Sequence, residues 1–94
     1  MNNPQIDLNN DKFWYNNISE LHRLDGPAEE LANGDKFWFV NGKRHRLDGP
    51  AVEWTNGNKT WYVNGLVLTK DRWEQHPLRI EYVIKENLKS ILHE

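Results

Sequence analysis

The chain contains no cysteine. That excludes disulfide staples, thiolate metal ligands and thiol nucleophiles, and it leaves the redox compartment unmarked. No apolar run reaches the length a helix needs to cross a bilayer, so no membrane partner is expected. The first residues, Met1-Asn2-Asn3-Pro4-Gln5, lack the charged and then apolar order of a secretory signal peptide. The expected location is therefore cytoplasmic. Neither sign of charge dominates: the formal net charge of −2 is too small to support non-specific binding of phosphate backbones or mimicry of a polyanion. Aliphatic residues are sparse, whereas five tryptophans are spread along 94 residues. One domain spanning 1–94 is expected, near the size at which core burial becomes marginal. Its core has to be built from a few large rings.

What the sequence does have is a repeat. His22-Arg23-Leu24-Asp25-Gly26-Pro27-Ala28 recurs as His45-Arg46-Leu47-Asp48-Gly49-Pro50-Ala51, 23 residues further on. Each copy is followed by a strand-like run, an Asn-Gly pair and an aromatic run: Phe37-Trp38-Phe39-Val40 after the first and Trp61-Tyr62-Val63 after the second. A fixed period with turn residues at fixed offsets signals one supersecondary unit stacked on itself. Lys12-Phe13-Trp14-Tyr15 matches Lys36-Phe37-Trp38-Phe39, so the first unit enters part-way. Its turn, Asn16-Asn17-Ile18-Ser19, is longer than its later counterpart and predicts a bulge or looser loop. Residues 1–10 read as a polar lead-in.

From Leu21 to Val63 the reading is a meander of short antiparallel strands. Turn signals fall at Asp25-Gly26, Asn33-Gly34, Asn41-Gly42, Asp48-Gly49, Asn56-Gly57 and Asn64-Gly65. If each Asn-Gly is a two-residue type I′ turn, Phe39 opposes Arg44, Val40 opposes Lys43, Trp61 opposes Leu68, and Val52 opposes Trp61. One face then carries Trp38, Val40, His45, Leu47, Val52, Trp54, Trp61, Val63, Leu66 and Leu68. The other carries Phe37, Phe39, Arg44, Arg46, Ala51 and Tyr62. The fold class is mainly β, α+β overall, with β-hairpin repeats over 10–68 and a helical cap over 69–94.

The cap begins where the repeat stops. Thr69 can N-cap a short helix through Gln75, and Pro77 suits the first turn of a second. Ile80, Val83, Ile84, Leu88, Ile91 and Leu92 recur at helical spacing, although residues 78–84 also alternate as a strand would. Lys89 and His93 place positive charge near the helix C-terminus. Terminal repeats need capping, so Trp73, Ile80, Ile84 and Leu88 are expected to pack on Trp61, Leu66 and Leu68.

The seven-residue motif, with the Asn-Gly turn and the Trp-aromatic-Val-Asn-Gly run that follow, resembles a repeat family found in bacteriophage and bacterial proteins. The hairpin repeat is also similar to the broader MORN class, whose short β-hairpins stack into an elongated sheet. The resemblance covers about residues 10–68. It implies a small phage accessory protein in the host cytoplasm, an inhibitor of a host protein or of a host immune (anti-defence) system.

No residue set reads as catalytic, so the chain is not expected to be an enzyme. Ser19, Thr55, Thr60, Thr69 and Ser90 lack a flanking nucleophile motif, and adjacent Glu29 and Glu30 point to opposite faces of a strand. His22 and His45 could in principle face each other around a metal, but a site needs further ligands and supporting contacts. No cofactor or metal is expected. His22, Arg23, Asp25, Gly26, His45, Arg46, Asp48 and Gly49 read as a structural motif, with each Asp bonding its own turn and pairing with the nearby Arg. Phe37, Phe39, Arg44, Arg46 and Tyr62 are the candidate binding residues, because aromatics beside Arg are enriched at interface hot spots. They would take a host protein or a second copy of the chain. Alternatively they bury against Phe13 and Tyr15 as a second small core, or stack a nucleotide or single-stranded nucleic acid.

Overall fold

The computed structural model describes residues 3–92. Nine strands precede two helices: β1 (Gln5–Ile6), β2 (Lys12–Phe13), β3 (Glu29–Glu30), β4 (Lys36–Phe37), β5 (Phe39–Val40), β6 (Lys43–Arg44), β7 (Val52–Glu53), β8 (Lys59–Val63), β9 (Leu66–Leu68), α1 (Lys70–Glu74) and α2 (Pro77–Leu92). Seven strands form one antiparallel sheet in the order β1-β2-β3-β4-β7-β8-β9, and β5 pairs with β6 in a second. The mainly β fold with a helical C-terminus is as the sequence predicts.

β4 and β5 are one run of chain interrupted at Trp38. The Trp38 N–H donates to the Ala51 carbonyl at 2.8 Å, and the Trp38 carbonyl accepts from the His45 N–H at 3.2 Å. The stretch between His45 and Ala51 therefore leaves the sheet opposite a single residue. Trp14 repeats the arrangement, bonded to Ala28 at 2.8 Å and to His22 at 2.9 Å. Each motif is thus a loop thrown out over one tryptophan. Ala28 and Ala51, which return the chain to the sheet, have no exposed surface, so a larger side chain has no room there.

Asn41-Gly42 and Asn64-Gly65 have positive φ at both residues, +49° and +79° in the first and +49° and +83° in the second. They are the expected type I′ turns, and Phe39 opposes Arg44 while Trp61 opposes Leu68. Asn56-Gly57 differs. Only Gly57 is left-handed there, and the Trp54 N–H closes the loop on the Asn58 carbonyl at 3.0 Å. The longer loop slips the register by one, so Val52 faces Thr60 rather than Trp61. A one-residue slip exchanges faces. Val52 and Trp54 accordingly lie with Phe37, and Trp54 meets the Phe37 ring edge-on at 5.3 Å.

The first unit has the expected longer turn, in which Asn16 Oδ1 accepts from the Ile18 and Glu20 N–H groups and Ser19 is left-handed. Residues 5–6 are an edge strand rather than a bare lead-in. A turn in which Asp7 Oδ1 accepts from the Asn9 and Asp11 N–H groups folds them onto β2. Met1, Asn2 and His93 lie outside the described residues.

Thr69 caps α1 by accepting the Arg72 N–H at 3.2 Å. Trp73 of α1 is buried beside Trp61, with ring centroids 6.3 Å apart, and its indole N–H donates to the Arg46 carbonyl at 2.8 Å. This short helix closes the stack. α2 does not do what the periodicity suggested. Ile80, Ile84 and Leu88 are 45%, 54% and 51% exposed rather than packed on Trp61, Leu66 and Leu68. The reason is the helix's rotation. The Arg79 guanidinium lies over the Trp73 ring at 4.6 Å, and Tyr82 reaches the groove beside Asp48. With those two residues turned inward, the aliphatic stripe faces out.

Candidate functional site

The His, Arg and Asp residues of each motif engage their own or neighbouring units. The Arg46 guanidinium lies 3.8 Å from the centre of the Trp38 ring. Its Nε donates to Asp48 Oδ1 at 2.8 Å, and its Nη1 donates to the Pro50 carbonyl at 2.9 Å and to Glu53 Oε2 at 3.0 Å. Arg23 repeats this on Trp14 at 3.9 Å, with Asp25, the Pro27 carbonyl and Glu30. Arg46 therefore sits on the tryptophan face, not beside Phe37 and Phe39 as strand alternation suggested. β6 ends at Arg44, so the period of two does not carry through to Arg46, although its N–H still donates to the Tyr62 carbonyl at 3.3 Å. Gly26 and Gly49 are needed for a different reason than backbone conformation: a Cβ on Gly49 would sit 2.7 Å from Arg46 Cζ, and one on Gly26 2.9 Å from Arg23 Cζ.

Two latches join each unit to the next. His22 Nδ1 accepts the Asn41 N–H at 2.9 Å, and His45 Nδ1 accepts the Asn64 N–H at 2.9 Å. Asp11 Oδ1 accepts the Ala32 N–H at 2.7 Å, and Asp35 Oδ1 accepts the Thr55 N–H at 2.8 Å. Among the described residues, no group of three or more His, Cys, Asp or Glu could hold a metal ion, and no helix is long and apolar enough to cross a membrane.

The His45 latch has a pH signature. Burial holds the His45 pKa below its ordinary 6.5, and the neighbouring charge of His76 lowers it further. An Nδ1 that accepts a hydrogen bond cannot also carry a proton. Between the folded and the unfolded value the unfolded chain binds more protons than the folded one, so stability is lost as pH falls through that window. The melting temperature should therefore drop as pH falls below about 6.5. His45→Asn keeps an acceptor without a titrating ring, so its melts should lose part of this slope. An unchanged slope would remove His45 as its source.

The aromatic face holds its own cation. The Arg44 guanidinium lies 5.7 Å from the Phe37 and Phe39 rings and 5.5 Å from Tyr62, to whose hydroxyl it donates at 3.3 Å. Phe13 stacks on Tyr15 at 6.5 Å. Phe37 is buried, and Phe39, Tyr62 and Arg44 are half-buried. Burial pushes the Glu29 pKa up, against the pull of the Arg44 charge and with a smaller push from Asp11. The structure brings Phe37, Phe39, Arg44 and Tyr62 together around the guanidinium, with Phe37 buried and the other three partly open, and Phe13 and Tyr15 stack on each other.

Two of the open surfaces are mainly apolar in their lining. A groove of about 550 Å³ lies between the two motif loops, and Leu24, Leu47, Trp38 and Tyr82 are among the residues that line it. Burial raises the Tyr82 pKa, with Asp48 adding to the shift. The second surface is the stripe of Pro77, Ile80, Ile84 and Leu88 on α2, continued by Ile91 at 64% exposure. Sequence reading assigned this stripe to the core. Its outward direction follows from Arg79 and Tyr82, which carry no local signal of their rotation. No protein-family model, curated protein or solved structure matches the chain.

Proposed function

We propose that this chain is a non-enzymatic binding protein that acts through protein–protein contact, with α2 as the contact surface. The observation that carries this reading is the continuous aliphatic stripe from Ile80 to Ile91, exposed along the whole helix. Contiguous apolar surface of this kind marks interaction sites, and an amphipathic helix is a standard unit of recognition. A nucleotide or single-stranded nucleic acid is less well served. The guanidinium groups of Arg23, Arg44 and Arg46 are already engaged within the chain. The motif's likeness to bacteriophage repeat proteins extends the proposal to a role: an accessory inhibitor of a host protein or immune system, on a MORN-like scaffold in the host cytoplasm.

The test is a double substitution, Ile84→Asp with Leu88→Asp, in tagged protein. Both sites are exposed, so the melting temperature should stay within a few degrees of wild type. The proteins retained from host lysate, the untagged chain included, should be lost. A variant that unfolds, or one that retains the same proteins, overturns the reading.

A further inference from the structure

We propose that α2 pairs antiparallel with α2 of a second copy of the chain, with Ile84 on the two-fold axis. The proposal rests on the reading of α2 as a contact surface and names its occupant. Residues 84–92 are exposed at every position. Most helical stability comes from packing an apolar face, and the face of this second half packs on nothing within the described residues.

The register follows from the stripe itself. With Ile84 against the partner's Ile84, Ile80 meets the partner's Leu88 and Pro77 meets the partner's Ile91. The overlap then runs over the whole helix, Pro77–Leu92, and every aliphatic side chain of the stripe between Ile80 and Leu88 meets another. A self-complementary patch of this kind is what a two-fold interface requires.

Charge selects the antiparallel sense. Glu81 and Lys85 lie on one flank of the stripe, 2.7 Å apart. The other flank carries Val83, Asn87 and Ser90 and no charge. Antiparallel pairing sets like flanks together, which brings Glu81 to the partner's Lys85 and Lys85 to the partner's Glu81. Parallel pairing would set the charged flank against the uncharged one and crowd both sheets at the same end. A 16-residue helix is about 24 Å long, and such a stripe covers on the order of 500 Å² per chain, below the standard interface. The dimer should therefore be in equilibrium with monomer at micromolar concentration. Its two repeat sheets lie at opposite ends of the helix pair.

The absence of native cysteine makes the test direct. Under mild oxidation, Ile84→Cys alone should form a covalent dimer. Ile80→Cys and Leu88→Cys should each stay uncrosslinked alone and crosslink when mixed. Wild-type sedimentation should show concentration-dependent dimer, weakened at least tenfold by Ile84→Asp. Self-linking of Ile80→Cys and Leu88→Cys alone would overturn the antiparallel register. A wild-type chain that stays monomeric into the hundreds of micromolar, with no Ile84→Cys link, would overturn the dimer. In that event, loss of lysate partners in the folded double variant would still leave the contact surface standing, whereas an unfolded double variant would remove both.

Discussion

Trp73→Ala should destabilise the protein by about 4 kcal/mol, in the range for removing a buried tryptophan. The side chain is 4% exposed. It fills the end of the stack against Trp61, donates to the Arg46 carbonyl and carries the Arg79 guanidinium. Alanine leaves a cavity, an unpaired carbonyl and an unsupported cation, and it takes away the ring on which Arg79 of α2 rests. A domain of this length has a total stability of roughly 5–14 kcal/mol, so the loss takes a large part of it. The melting temperature should fall by about 20 °C, read by circular dichroism. Trp73→Phe keeps most of the volume and loses the indole bond, and should fall by about a third as much. Ile84→Asp, eleven residues on, should leave the melt nearly unchanged, because surface changes are usually within ~0.5 kcal/mol. If Ile84→Asp melts as low as Trp73→Ala, the cap extends into α2 and the exposed stripe is wrongly placed.

The contrast between those two substitutions is also where sequence reading reached its limit. Periodicity locates the stripe on α2 and N-capping locates the start of α1, but neither gives the helix's rotation about its axis. That angle depends on Arg79 meeting Trp73 and on Tyr82 reaching the second motif loop, contacts between segments that are separate in the chain. The turns show the same division. Asn41-Gly42 and Asn64-Gly65 are decided locally, by two residues that tolerate positive φ. Asn56-Gly57 is the same dipeptide but closes a longer loop, in part because Asp35, 20 residues earlier, takes the Thr55 N–H. Nothing within the loop announces that bond. A signal for it did exist: Asp-Lys-Phe-Trp occurs at 11–14 and again at 35–38. The aromatic part of that word marks the strand, and its first letter is the latch.

Each motif carries a glycine directly after its aspartate, Gly26 and Gly49. Gly49 has no left-handed backbone to explain it. What forbids a side chain is the Arg46 guanidinium, 2.7 Å from where a Cβ would stand. An arginine tip is ordinarily free to swing aside. This one is held by the Trp38 face, Asp48, the Pro50 carbonyl and Glu53, so it moves only by giving up contacts. Arg46→Ala should cost about 3 kcal/mol: a cation–π contact contributes ~1 kcal/mol and the charge-assisted bonds ~2 kcal/mol, held down by the 57% exposure of Asp48. Gly49→Ala alone should cost about 2 kcal/mol by displacing the same group. The double variant should be no less stable than Arg46→Ala by itself, because the clash disappears with the guanidinium. A coupling of about 2 kcal/mol in the double-mutant cycle is the expected result, measured by urea denaturation of the four proteins. Additive losses would mean that Gly49 is required by its own backbone and that the arginine merely passes over it.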